Sequence, residues 1–326
     1  MNADEKKKLI DENSPSVRLA VGVGPPEAFA KGLKEYPGAD TKPALLVSYV
    51  YLEPFLKYRH RYAFRDWVMD SGAFSAHNSG IEIRLQDYID CCKRLLETDP
   101  QLTEVYALDV IGDWRASLKN CEEMWKQGVP AIPCFHDGEP WTALKEMADN
   151  YPKLAIGGVA RTRGSQKIIF AEQVFARVWP KKIHGFGFGT EKQIMAAPFH
   201  STDACNWEIG PAGFGSWNYY GNMSVRGSQQ NLRVEVEHYL KLEKKARWRW
   251  KSEMEELKKL PDIAPTMAVP FETIDEEVQR LRQKKDKSKE DLARLARLIS
   301  SSPPKLKSLP ELVRSKKSKA SVVTTN

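Results

Sequence analysis

Three aspartates stand where a short apolar run gives way to turn residues. Asp70 closes Trp67–Asp70 and opens Asp70-Ser71-Gly72-Ala73-Phe74. Asp109 follows Ala107-Leu108, and Asp203 ends Ser201-Thr202-Asp203. Carboxylates grouped in this way suit cleavage of a glycosidic bond. An oxocarbenium-like transition state needs one carboxylate beneath the sugar and a second acid/base group near the leaving group. If the first attacks, a covalent glycosyl-enzyme forms. The plainer alternative is that each Asp caps the helix that follows it, a role Asp fills well.

Other residues that could take part also fall at the ends of runs. His136 ends Pro133-Cys134-Phe135-His136. Gly157 and Gly158 end the run before Val159, and Phe186-Gly187-Phe188-Gly189 follows His184-Gly185. Glycine lets backbone groups approach a ligand closely, although Gly157 and Gly158 could equally make a tight turn. Gly185-x-Gly187-x-Gly189 lacks the dinucleotide-binding spacing, and no G-x-x-x-x-G-K-[ST] loop occurs. No C-x-x-C pair is present, and no four ligands stand at zinc-site spacing. We therefore expect neither metal nor cofactor. Cys91, Cys92, Cys121, Cys134 and Cys205 read as reduced, mostly buried thiols.

The elements that must position these groups alternate. Eight β-like runs are predicted at Ser16–Val23, Ala44–Leu52, Trp67–Asp70, Glu104–Val110, Ala131–Phe135, Lys153–Gly157, Lys182–Phe188 and Phe199–Asp203. Helical patterns at Leu85–Glu97, Arg115–Gln127, Trp141–Asn150 and Ala171–Val178 lie between them. Such alternation implies parallel strands joined by crossovers. Eight units imply an α/β fold, a closed (β/α)₈ TIM barrel with its chemistry at the C-terminal ends of the strands.

The chain has 326 residues, enough for one barrel and an appendage. We expect a barrel domain over 1–230, a helical extension with a linker over 231–302, and a basic tail over 303–326. Gly210–Gly227 is Gly- and aromatic-rich, and Leu232–Leu260 reads as one long charged helix. Pro261–Pro270 reads as a linker. Thr273 with Glu276 and Ser288 with Asp291 resemble capping boxes that open short helices. The formal charge is +7. Pro303–Asn326 carries six Lys/Arg against one Glu, which suits either phosphate contacts or a solvated, disordered end. No apolar run reaches membrane-spanning length, and Met1–Lys8 lacks a signal-peptide core. The expected compartment is the cytoplasm, the host's if the protein is phage-encoded.

Taken together and in order, these motifs resemble the tRNA-guanine transglycosylase superfamily, above all its phage and bacterial DNA-guanine transglycosylase branch. Asp70-Ser71-Gly72-Ala73-Phe74 is similar to that family's Asp-Ser-Gly-Gly-aromatic signature. Gly157-Gly158-Val159 is similar to its Gly-Gly-Leu, and Phe186-Gly187-Phe188-Gly189 to its Met-Gly-Val-Gly. The resemblance covers roughly Ser16 to Trp207. It implies a TIM barrel in which Asp203 is the nucleophile, Asp70 the acid/base and Asp109 the reader of the guanine edge.

The chain departs from the tRNA enzymes in one respect. They carry a Cys-x-Cys-x-x-Cys and His zinc module after the barrel, whereas here that region holds only Cys205. The expected partners are therefore DNA and a free 7-deazaguanine base such as preQ0. An RNA-acting relative, a non-catalytic nucleic-acid-binding relative and a sugar hydrolase are the alternatives. On the transglycosylase reading, a flipped or single-stranded nucleotide enters the barrel mouth. Phe74 and Phe186 flank the base, and His136 donates to its carbonyl edge. Gly157, Gly158 and Gly187 bring backbone groups close to it. Basic and aromatic residues interleave around Arg59 and Arg61 in Lys57-Tyr58-Arg59-His60-Arg61-Tyr62 and at Arg247-Trp248-Arg249-Trp250, and Arg161 and Arg163 follow the sixth run. They are the candidate nucleic-acid contacts, with a solvated face or helix packing as the alternative.

Overall fold

The computed structural model describes residues 15–21, 42–160, 162–179, 181–209, 216–217, 223–224 and 232–258. Parallel strands β1 (Ser16–Val21), β2 (Ala44–Ser48), β3 (Trp67–Asp70), β4 (Leu102–Val105), β5 (Cys134–His136), β6 (Lys153–Gly157), β7 (Lys182–Gly185) and β8 (Ser201–Ala204) form one sheet. Its order is β4-β3-β2-β1-β8-β7-β6-β5. The first strand therefore pairs with the last, Arg18 lying opposite Asp203. A parallel bridge between Tyr106 and Ile132 joins the remaining two edges and closes the barrel. The fold is a (β/α)₈ barrel.

The helices are α1 (Leu52–Tyr58), α2 (Ala73–Ser79), α3 (Leu85–Thr98), α4 (Trp114–Lys126), α5 (Trp141–Asn150), α6 (Gly164–Val178), α7 (Glu191–Ile194), α8 (Asn206–Ile209) and α9 (Leu232–Lys258). A short antiparallel pair, β9 (Ser216–Trp217) and β10 (Met223–Ser224), precedes α9. Among the described residues no helix is long and apolar enough to cross a membrane. The expected linker, the two capping boxes and the basic tail lie outside the described residues.

Alternation along the strands builds two layers of core. Leu46, Val68, Tyr106, Ile132, Cys134 and Ala155 fill the barrel interior. Their strand neighbours Leu45, Val47, Trp67, Met69, Leu154 and Ile156 face the helices. Strands buried on both faces read as near-continuous apolar runs, as in β2 and β6, where every residue is buried. The helices contribute one face each. In α3, Tyr88, Ile89, Cys91, Cys92 and Leu95 are buried at helical spacing. Cys91, Cys92, Cys121 and Cys134 are buried free thiols, and Cys205 is half-buried.

The long helix closes the end of the barrel opposite the site. The Glu243 carboxylate on α9 accepts from the Val17 backbone N–H at 2.8 Å and pairs with Arg65 at 2.6 Å. Arg65 also pairs with Asp66 at 3.1 Å, and Asp66 pairs with Arg18 at 2.6 Å. The Arg247 guanidinium donates to the Pro15 carbonyl at 2.9 Å. Burial alone would raise the Asp66 and Glu243 carboxyls. Arg18 and Arg65 outweigh it for the first, Arg65 and Arg247 for the second, and both sit below their ordinary range. The clamp is thus at full strength at neutral pH and weakens as pH falls through those lowered values.

Glu243→Ala removes the acceptor of the Val17 N–H and one of the two carboxylates that pair with Arg65, and should cost about 1–3 kcal/mol of stability. Denaturant titration checks this. An unchanged midpoint would show that the clamp carries no stability.

Candidate active site

The C-terminal ends of the strands gather the acidic residues at one mouth. The fold uses none of the three to cap a helix. The cap of α4 is Asp113, whose side chain accepts from the Ala116 N–H at 3.0 Å. Asp109 lies four residues earlier, in the segment after β4. Asn120 holds the Leu108 carbonyl at 2.9 Å, and the Ser117 hydroxyl accepts from the Val110 N–H at 2.8 Å. The backbone on both sides of Asp109 is thereby pinned to α4.

Asp70 ends β3, and its carboxylate accepts from the Gly72 N–H at 3.1 Å. Gly72 has φ +74°, and a Cβ there would lie 2.4 Å from Val50 Cγ2 and 2.6 Å from Ser48 Oγ. Only glycine lets the turn above β3 sit against the end of β2. Burial, followed by the charge of Asp109, pushes the Asp70 carboxyl up to about 7; the Gly72 N–H opposes the rise, and Asp203 adds to it.

Asp203 is held from the loop after β7. Its Oδ1 accepts from the Gly187 N–H at 2.7 Å. Gly187 adopts φ +74°, and its carbonyl accepts from Lys167 Nζ at 3.1 Å. Lys167, on α6, is part of the site, and its motif gives no sign of it. Burial pushes Asp203 up to about 6, against the Gly187 N–H and the Lys167 charge, which favour the anion. Burial depresses Lys167 itself, with Asp203 acting against the shift.

Beneath Asp203 lies His184, fully buried, its Nδ1 2.8 Å from Ser201 Oγ. Burial first, then Lys153 and Arg18, hold this ring well below its ordinary value, so it is neutral. Phe186 packs on the His184 ring at 4.5 Å and on Tyr106 at 4.8 Å. It forms a half-buried floor, whereas Phe74, at the start of α2, is 53% exposed.

His136 differs from expectation. Its Nδ1 lies 3.0 Å from Glu139 Oε1, and its Nε2 lies 3.3 Å from Asp109 Oδ2. Both ring nitrogens face carboxylates, so the expected donation to a base carbonyl has no free N–H to use. Cys134 as a thiolate would raise the ring furthest, but burial pushes that thiol up to about 11 and it is neutral near pH 7. Asp109 and Glu139 therefore keep His136 an imidazolium, against the cost of burial. Burial raises Asp109, and His136 opposes the shift. Gly157 and Gly158 lie against this strand end: the Asp137 N–H donates to the Gly157 carbonyl at 3.0 Å. The tight-turn alternative thus describes their backbone, while Gly158 remains exposed at the mouth.

Folding also assembles donors that are separated in sequence. Ligand atoms of Asp109, Cys134 and His136 lie within 4.8 Å of one another and are the residues that could hold a metal ion. Expecting none from the lack of four ligands at chain spacing overlooked this set, since three protein ligands and an open position suffice in catalytic zinc sites.

The candidate phosphate contacts separate by position. Arg59 follows α1, at the end of the barrel opposite the mouth. Its guanidinium pairs with Asp99, donates to Gln101 at 3.0 Å, and lies over Phe55, Phe64 and Trp67 at 5.5–5.8 Å. Arg59 is therefore a structural residue, not a contact at the mouth. Arg61 shares that end, with its guanidinium 5.8 Å from the Tyr58 ring centroid. Arg163 is exposed at the start of α6, on the mouth side, and Arg161 lies outside the described residues. On α9, Trp250 is buried and Trp248 is 83% exposed, so helix packing and an open face each claim one of the pair.

No family model matches the chain, and no curated protein does. Among solved structures it is similar to a tryptophan synthase alpha-subunit variant from Pyrococcus furiosus. The identity is 14% and the TM-score 0.42, over 69% of this chain and 98% of that one. It is also similar to the carboxyl transferase domain of Rhizobium etli pyruvate carboxylase, at 9% identity and TM-score 0.44, over 86% of this chain and 58% of that one. Superpositions this loose transfer no activity.

Proposed function

We propose that this chain is an enzyme, a guanine transglycosylase that exchanges guanine in DNA for a 7-deazaguanine base through a covalent Asp203–deoxyribose intermediate. One observation carries the reading. Two buried carboxyls at one mouth stand in different settings: Asp203 accepts from the Gly187 N–H at 2.7 Å with the Lys167 charge nearby, both favouring the anion, whereas the charges of Asp109 and Asp203 favour the protonated form of Asp70. That contrast is what a nucleophile and an acid require.

The chemistry balances without an outside reactant. An Asp203 oxygen bonds to the anomeric carbon as the bond to the guanine ring nitrogen breaks, and Asp70 gives its proton to the departing base. Asp70 then takes the proton from the incoming base. The freed ring nitrogen attacks the anomeric carbon, and the bond to Asp203 breaks. Two inversions retain the configuration. The Gly187 N–H and Lys167 stabilise the carboxylate that attacks and is later released. Phe186 lies where it can support one face of the base. DNA, rather than RNA, is favoured because the region after β8 lacks the cysteines of the zinc module that the tRNA enzymes carry.

Labelled guanine incubated with the protein and guanine-containing single-stranded DNA should enter the DNA. Nucleosides should show a deazaguanine when that base is supplied instead. Label entering RNA alone would assign the activity to RNA. No exchange in either polymer would leave a nucleic-acid-binding relative, and release of reducing sugar from a glycan would leave a hydrolase.

A further inference from the structure

We infer that Asp109, Cys134 and His136 form a zinc site at the end of β5, with three protein ligands and a fourth position left to water, and that Glu139 holds the histidine ligand from the outer side. The inference goes beyond the transglycosylase reading. It gives Asp109 and His136 an occupant other than the base that the resemblance places against them.

Strand alternation brings the donors together. Cys134 and His136 are two residues apart on β5, so both side chains leave the same face of the sheet. The bridge from Tyr106 to Ile132 sets the segment after β4 alongside β5, and Asp109 reaches the same corner. Ligand atoms of the three all lie within 4.8 Å of one another. The thiol is buried, whereas the side chains of Asp109 and His136 are 15% and 24% exposed, which leaves an ion a way in.

Further observations favour an ion over a plain ion pair. His136 Nε2 and Asp109 Oδ2 stand 3.3 Å apart. That is longer than a charge-assisted hydrogen bond, roughly 2.7–2.9 Å. It matches the spacing of two ligands on a tetrahedral ion, about 3.4 Å for bonds of about 2.1 Å. Glu139 accepts from the His136 backbone N–H at 3.0 Å and faces its ring Nδ1 at 3.0 Å. A metal-bound histidine commonly gives its other ring N–H to a carboxylate in this way, which fixes the ring and its tautomer. Asp109 Oδ1 is enclosed and has no hydrogen-bond partner among the described residues. An unpaired buried oxygen is costly, and a cation against the carboxylate offsets that cost. A Cβ at Gly157 would lie 3.0 Å from Cys134 Sγ and 3.5 Å from His136 Cδ2, so glycine there keeps both donors clear.

A thiolate and an imidazole beside one carboxylate suit zinc, whereas magnesium and calcium take oxygen ligands. Entry of the ion displaces the Cys134 thiol proton and the His136 Nε2 proton, while the Nδ1 proton stays with Glu139. A divalent ion replaces two protons, so the net charge of this cluster is unchanged.

The full chain, stripped with a chelator, is titrated with Zn²⁺ and with Co²⁺. One ion should bind per chain and release about two protons near pH 7. Excess zinc should raise the unfolding midpoint, and cobalt should give the near-ultraviolet charge-transfer absorption of a thiolate ligand. Cys134→Ser should remove that absorption. Asp109→Asn, which keeps the buried thiol, should weaken zinc binding and carries the test if Cys134→Ser does not fold. Glu139→Gln should weaken binding by about 10- to 100-fold with the absorption retained. Cys205→Ser, at a free thiol outside the cluster, should change neither quantity.

Absence of stoichiometric binding overturns the site. So does zinc affinity unaltered in both Asp109→Asn and Glu139→Gln, or absorption lost in Cys205→Ser, because the ion then sits elsewhere. Base exchange by protein that binds no zinc defeats the site alone. Zinc held as described in protein that exchanges no base supports the site and defeats only the transglycosylase reading.

Discussion

Asp203→Asn should abolish base exchange, with a loss on the order of 10⁴-fold or more, as removal of a nucleophile does elsewhere. The amide oxygen is a poor nucleophile, and the amide carries no charge to answer Lys167. The same change should remove the covalent species. Enzyme incubated with guanine-containing single-stranded DNA and no incoming base should otherwise give a denaturant-resistant protein–DNA adduct, and peptide mapping should place it on Asp203. The geometry supports that assignment: the Gly187 N–H is 2.7 Å from one oxygen and fixes the carboxylate from behind. An adduct that maps to Asp70, or one that persists in Asp203→Asn, would reverse the two roles.

Asp70→Asn should leave DNA binding intact and slow turnover by about 10²- to 10⁴-fold, the usual span of general acid–base catalysis. The pH profile separates this from a loss of structure. In the unaltered protein kcat/KM should rise through about 6 as Asp203 ionises and fall above about 7 as Asp70 loses its proton. The two groups interact, so the apparent values belong to the pair. Asp70→Asn should remove the descending limb. If that limb survives in the variant, another group supplies the proton.

Much of the barrel is legible in the sequence because its period is simple. Trp67–Asp70, Lys153–Gly157 and the helix Trp141–Asn150 are readable to the residue. The boundaries that slip do so for local reasons. The run Lys182–Phe188 stops as a strand at Gly185, where the chain turns to place the Gly187 N–H on Asp203. Ala44–Leu52 stops at Ser48 because a short turn leads into α1.

The site divides in the same way. Asp70, Asp109, His136 and Asp203 can be found from strand ends alone, since a parallel barrel sends all of those ends to one mouth. Lys167 and Glu139 cannot, because their reach depends on how a helix start and a turn lean over that mouth. Arg59 looks like a phosphate contact because interleaved basic and aromatic residues do not reveal which end of a barrel they occupy. The antiparallel run of α1 settles that, and it sends Arg59 to the far end.

The clamp between α9 and the first strand constrains how the chain is assembled. Ser16 and Val17 reach Glu243 across 227 and 226 residues of sequence, and the same strand pairs with β8. Contacts this distant close late and slow folding. On a ribosome delivering the chain from its N-terminus, β1 emerges before the other strands and can pair early with β2, yet gains its second lateral neighbour, β8, and its cover last. Until α9 has emerged, Arg18, Arg65 and Asp66 lack the Glu243 carboxylate that completes their cluster. The last described helix is in that sense the latch that lets the first strand stop waiting.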